Sequence, residues 1–211
     1  EYRDGGRVIW ASTVGLTNEI LKIDPETVTV IDKYIPQVEE GAGPGTNSVS
    51  GAYNLVDADN RLHVGQARAL EVYGDAVQGK RESTIALLRR FELPATALCG
   101  DDQLVGITMT YDGHIAFATE NGVVGVVPRQ PQLMTAEHLR TFSVNGADCA
   151  GGPDGEAETV SNSIAADENG GIYVVTSHAM YRVDWNGKRL SRGWRSSYAG
   201  AGGSGGGRLG A

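Results

Sequence analysis

The feature that most constrains this chain is an internal repeat. Residues 53–64 (YNLVDADNRLHV), 107–117 (ITMTYDGHIAF) and 163–174 (SIAADENGGIYV) resemble one another. Each reads as an apolar-rich strand, an Asp/Asn/Gly turn and a second strand. A fourth copy starts at its turn, residues 4–10 (DGGRVIW). The matching apolar positions Val8, Leu62, Ile115 and Ile172 recur at spacings of 54, 53 and 57 residues. A period of this size means stacked supersecondary units that share a core.

More strands follow each hairpin. Residues 20–23, 70–73, 123–127 and 180–183 read as third strands, and 28–34, 84–93 and 188–194 as fourth. The turns 24–27 (DPET) and 184–187 (DWNG) use residues that pre-set turn dihedrals. Residues 84–93 fit a strand or a helix by period, and the repeat assigns them to the outer strand of blade two; residues 136–142 are similarly ambiguous and allow a helical turn before the outer strand. Inner strands are expected near 51–57, 105–111 and 161–166, with turns at 58–61, 112–114 and 168–171.

Four short antiparallel strands per repeat are the signature of a β-propeller blade. The fold expected is therefore all-β, with about four blades at 1–37, 48–94, 104–145 and 160–198. Residues 199–211 form a Gly-rich tail or loop. The first blade has sequence for three strands, so the expectation is an arc of a six- to eight-bladed ring rather than a closed one. An arc would leave blade faces exposed and open to self-association.

Composition narrows the partners. The formal net charge of −8 disfavours nucleic acid, which selects a basic face. No apolar run approaches the roughly 18 residues of a membrane helix. The tail contains a G-x-S-x-G match around Ser204, but no strand precedes it and no helix follows, as a nucleophile elbow needs. The four histidines (63, 114, 138 and 178) lie at no metal-ligand spacing. Asp57, Asp59, Asp112 and Asp167 sit where Asp caps turn amides, and 57–60 (DADN) lacks the Gly and distal Glu of a calcium loop.

Residues 161–174 (SNSIAADENGGIYV) resemble the P-N-G-I-A-x-D-x-x-G-x-L-Y-V signature of the SMP-30, gluconolactonase and strictosidine-synthase-like six-bladed propellers. Ser161 and Ser163 stand where that signature has Pro and Gly. The resemblance implies a divalent metal, calcium or zinc, in the central channel, with Asn162 among its ligands. It implies lactone or ester hydrolysis by a metal-activated water. The family's first-blade Glu and later-blade Asp have no counterpart here. A binding role for Asn162 competes with a plain loop-bonding role.

The reading of the residues themselves favours a binding module or scaffold for a small molecule or protein. Its site is expected at the channel mouth, around Asn162, Thr108 and Ser50. A metal-dependent hydrolase is the alternative. A quinoprotein dehydrogenase is disfavoured, because the three Trp do not recur at one repeat position. Cys99 and Cys149 each lie in a connection ahead of an inner strand, and equivalent loops of adjacent blades could bring them within bridging distance. Two independent thiols remain the alternative. A bridge would fit a periplasm or the cell exterior, with the cytoplasm left open.

Overall fold

The computed structural model describes residues 2, 5–13, 19–36, 49–153 and 155–198, with side chains of strand residues 49–53 excepted. The chain divides into two compact units, Glu1–Phe91 and Glu92–Ala211.

The first unit holds two sheets. One is β1 (Ile9–Ser12), β2 (Ile20–Ile23) and β3 (Val30–Tyr34), and the other is β4 (Val49–Val56), β5 (Leu62–Gln66), β6 (Ala69–Asp75) and β7 (Ile85–Glu92). The second unit holds β8 (Leu104–Met109), β9 (His114–Thr119), β10 (Val123–Pro128) and β11 (Arg140–Ser143), then β12 (Ala165–Ala166), β13 (Gly171–Val175), β14 (Ala179–Trp185) and β15 (Leu190–Ser197). Every sheet is an antiparallel meander in sequence order. These are the expected blades, with three strands described in the first.

The hairpin turns form for the expected reason. Asp57 accepts the amides of Asp59 (2.9 Å) and Arg61 (3.0 Å), and Asp167 those of Asn169 (2.9 Å) and Gly171 (2.8 Å). Gly170 follows with φ +81°, a left-handed conformation natural to glycine.

Two boundaries differ from expectation. The outer strand of blade one starts at Val30, not 28, because Val28 takes φ +55° in a turn where its amide meets the Asp24 carbonyl at 2.9 Å. The inner strand of blade four shrinks from 161–166 to Ala165–Ala166. The approach at 162–164 instead packs its backbone against Gly106 of β8, where an added Cβ would lie 3.0 Å from the Asn162 carbonyl oxygen. Residues 136–142 do hold a turn, with Leu139 N–H bonded to Thr135 O at 3.1 Å, and β11 begins only at Arg140. The ambiguous 84–93 segment is the strand β7.

Each unit has its core between its own two sheets. In the first, Trp10 and Ile20 of blade one pack on Leu62, Val64, Tyr73 and Ile85 of blade two. Buried Lys22 crosses the same seam, donating to Asp75 Oδ1 at 2.8 Å and to the Ser83 carbonyl. In the second, Ala116, Ala118, Val124 and Val126 of blade three meet Ile172, Val174, Tyr181 and Val183 of blade four. Small residues on one side admit large ones on the other, which keeps packing dense.

Gly125 shows the same rule within one sheet. It pairs with Phe117, and a Cβ there would lie 2.0 Å from the ring. Phe117 is itself buried, so the ring has nowhere to move. Gly125→Ala should lower the unfolding free energy by about 1–3 kcal/mol, the usual range for overpacking. Urea denaturation checks this, and an unchanged midpoint would refute it.

Candidate functional site

The expected site residues are spread along inner strands. Thr108 lies on β8, half-buried and opposite Ala116. Asn162 lies half-buried just before β12, brought against β8 through its carbonyl at Gly106. Ser50 lies on β4, in the other unit, and its side chain is outside the described residues.

The channel metal implied by the resemblance needs a cluster of carboxylates and amides around Asn162. Among the described residues, no three His, Cys, Asp or Glu side chains gather in a way that could hold a metal ion. The described residues therefore do not by themselves supply a donor set for that group at Asn162. The histidines serve their own neighbourhoods. His63 Nε2 lies 3.0 Å from Asp57, His114 Nδ1 3.1 Å from Asp112, His138 Nδ1 2.9 Å from Thr135, and His178 Nε2 3.1 Å from Glu156. Burial raises the Asp57 carboxyl, but the bonds from His63 and from the Arg61 and Asp59 amides outweigh it and hold Asp57 below the ordinary carboxylate value.

A concavity forms elsewhere, in the second unit. A cavity of about 660 Å³ opens where three connections meet. The turn after β7 supplies Thr96 to Cys99, the end of β11 supplies Thr141 to Val144, and the loop beyond contributes Gly146, Ala147, Cys149 and Gly151 to Pro153. Val123 closes the floor, and Arg192 of β15 reaches the lining from blade four. Neither Thr108 nor Asn162 lines this cavity.

Cys99 and Cys149 are joined across one wall, with Cα atoms 5.7 Å apart. That separation lies in the normal range for a bridge. The loop that carries Cys149 is tightly wound. Cys149 has φ +58° and Gly146 φ +81°, and Cys149 N–H bonds to Gly146 O at 3.2 Å.

Two buried acids hold the connections behind the cavity. Asp102 accepts Thr119 Oγ1 (2.6 Å) and the amides of Asn121 (2.8 Å) and Gln103 (3.0 Å). Glu158 accepts the Thr176 hydroxyl, Tyr181 OH (2.7 Å) and Arg195 Nη2 (3.0 Å). Burial, then the Glu158 bond, pushes the Tyr181 phenol up to about 12. Glu158 also underlies the cavity wall, since a Cβ on Gly152 would sit 2.6 Å from its Oε1.

The acid clasp recurs in blades two to four, and the strand pattern alone did not bring it out. Four residues after each aligned apolar position stands a polar one: Ser12, Gln66, Thr119 and Thr176. Ser12 accepts Asn54 Nδ2 at 2.7 Å. Gln66, with its amide nitrogen turned to the acid, donates to Glu71 at 2.8 Å.

The face of blade four away from blade three carries a charged cluster beside Trp194, which is 41% exposed. Arg182 lies 5.5 Å over the Tyr173 ring and donates to Asp167 (2.6 Å) and Asp184 (2.7 Å). The Tyr173 hydrogen bond, with the Gly171 amide, draws the Asp167 carboxyl down to about 2. Blade one exposes apolar side chains, with Ile9 at 48% and Val30 at 55%.

No protein-family model matches the chain. A protein of Archaeoglobus fulgidus, itself described as uncharacterized, is 46% identical over 213 residues, covering 99% of this chain and 36% of that protein. The chain thus spans about a third of the length of the curated relative it matches. Among solved structures, a protein from Lactobacillus plantarum aligns over 86% of this chain and 51% of its own, with a TM-score of 0.53 and 13% identity. Virginiamycin B lyase from Staphylococcus aureus aligns over 86% and 54%, with a TM-score of 0.51 and 15% identity. Likeness at this identity shows the fold alone, and the fold is that of a β-propeller.

Proposed function

We propose that these blades form a scaffold that binds a small ligand in the cavity beside the Cys99–Cys149 bridge. One observation carries this reading. The cavity, about 660 Å³, falls within the roughly 300–1,000 Å³ of small-molecule sites and mixes an apolar floor with a few polar groups, as such sites do. Its walls are fixed by a bridge and by the Glu158 network, and a preorganised wall saves the ordering cost of binding.

The bridge also favours an oxidising compartment, a periplasm or the cell exterior. The exposed Ile9 and Val30 of blade one leave self-association open to this chain. A metal-dependent lactonase, the competing reading, would need carboxylate partners for Asn162 that the described residues do not bring together.

A fragment library followed by NMR tests the proposal. Bound fragments should shift the amides of 96–99 and 141–153. Ala147→Trp, which places an indole at the exposed lining, should abolish those shifts and leave the melting temperature within about 2 °C, since surface changes cost little. Shifts confined to the surroundings of Asn162 and Thr108, and lost in Asn162→Ala, would move the site to the inner-strand ends and overturn the cavity reading.

A further inference from the structure

We propose that the cavity selects amphipathic carboxylates, with the apolar body on Leu98, Val123, Phe142 and Val144 and the carboxylate on Arg192. This rests on the cavity being the binding site. The lining divides by chemistry. Leu98, Val123 and Val144 are buried, and half-buried Phe142 packs on the core. Among the described residues, Arg192 is the lining's one cation, and no carboxylate stands with it.

Arg192 reaches the cavity by a specific device. Residues two apart on a strand normally share a face. Trp194 pairs with Arg182, whose guanidinium belongs to the outer cluster of blade four, while Arg192 pairs with Val183, a residue of the core shared with blade three. The register shift between Arg182 and Val183 leaves Gly193 as the extra residue of a bulge. A bulge re-aims a side chain to the opposite face. Gly193 suits it, since a Cβ there would lie 2.6 Å from Asp184 Oδ2. The bulge therefore sends Arg192 toward blade three and the cavity, and away from the acids of the outer cluster.

This chain carries 26 acidic and 18 basic residues, so acids are plentiful. Arg61, Arg81, Arg90, Arg182 and Arg195 are each paired with a carboxylate. Arg192, like Arg140 and Arg189, has no ion pair among the described residues, and of these three it alone lines the cavity. A guanidinium beside an apolar wall offers a planar, two-pronged donor to a carboxylate and repels an ammonium. The apolar floor supplies the area-dependent part of binding without regard to head group. Head-group preference thus reports Arg192, and binding itself reports the floor.

The test uses three probes of one shape: 4-phenylbutanoate, 4-phenylbutan-1-ol and 4-phenylbutylamine. Affinities come from NMR titration of the 96–99 and 141–153 amides. The carboxylate should bind about tenfold more tightly than the alcohol, as one charge-assisted hydrogen bond allows, and the amine more weakly than both. Arg192→Gln should bring acid and alcohol within about twofold, and Arg192→Lys should restore part of the gap. Phe142→Ala should weaken acid and alcohol alike. Equal binding of acid and alcohol to the wild type, or a preference that survives Arg192→Gln, would overturn the ligand class and leave the cavity as a site. Absence of cavity shifts with every probe would overturn both.

Discussion

Glu158→Ala should lower the unfolding free energy by about 3–5 kcal/mol, the range for breaking a buried ion pair from one side. Glu158 is 2% exposed and is the shared acceptor for three donors on three different segments. Thr176 closes the β13–β14 turn, Tyr181 lies on the buried face of β14, and Arg195 lies on β15 with its side chain 14% exposed. Removing the carboxylate takes the acceptor from the buried Tyr181 hydroxyl, leaves the Thr176 hydroxyl the Ala179 carbonyl alone at 2.9 Å, and takes the Glu158 charge from largely buried Arg195. Each orphaned group carries its own desolvation cost. The backbone of Glu158 is held separately, with its amide on Asn145 Oδ1 and its carbonyl on Asn145 Nδ2, both at 2.8 Å. The loop path can therefore survive the loss of the side chain, and the cost should fall on the β13–β15 seam. Urea denaturation with an unchanged slope measures it. A loss under 1 kcal/mol would mean that water replaces the carboxylate. Because Gly152 lies directly over Glu158, the same variant should also weaken cavity binding.

The blades were legible because burial writes a period into the sequence. Leu62, Ile115 and Ile172 are fully buried at equivalent places on second strands, so the aligned apolar set marks the interior of each blade. The Asp turns were legible because a carboxylate that caps two amides acts over four residues. Val28 was not, since a β-branched residue with positive φ runs against local preference and is held by the Asp24 turn. Asn162 shows the limit of a motif. What meets β8 is its backbone, and a one-letter code says nothing of a carbonyl. The cavity was hidden for a different reason. Its lining comes from separate connections and from a bulge on β15, and a bulge inverts the alternation that sequence reading relies on. The polar residue at or just past the end of each second strand was visible. Its acceptor precedes the strand in Asp102 and Glu158 but follows it in Glu71, so repeat alignment could not pair them.

The Cys99–Cys149 bridge was the one sequence signal that pointed to the cavity, and its removal should have a comparably large effect. The bridge ties residues 50 apart and encloses all of β8 to β11, an entire blade. In the loop-entropy model a closed loop of this size restricts the unfolded chain by about 4 kcal/mol. For a chain of this length that corresponds to a fall in melting temperature on the order of 10 °C. The double variant Cys99→Ser with Cys149→Ser should show that fall, with the far-UV spectrum kept, because the sheet ladders and the Glu158 network do not depend on the bridge. Ligand affinity should fall as well. Cys149 holds a left-handed backbone conformation that costs a non-glycine residue energy, and the tether adds to its hydrogen bond with Gly146 in opposing relaxation. Once untethered, the 146–153 wall gains freedom that binding must then remove. Thiol titration under denaturing, non-reducing conditions supplies the independent check on protein taken from its native compartment. Two free thiols, or a melting temperature that reductant leaves unchanged, would remove both the bridge and the inference of an oxidising compartment.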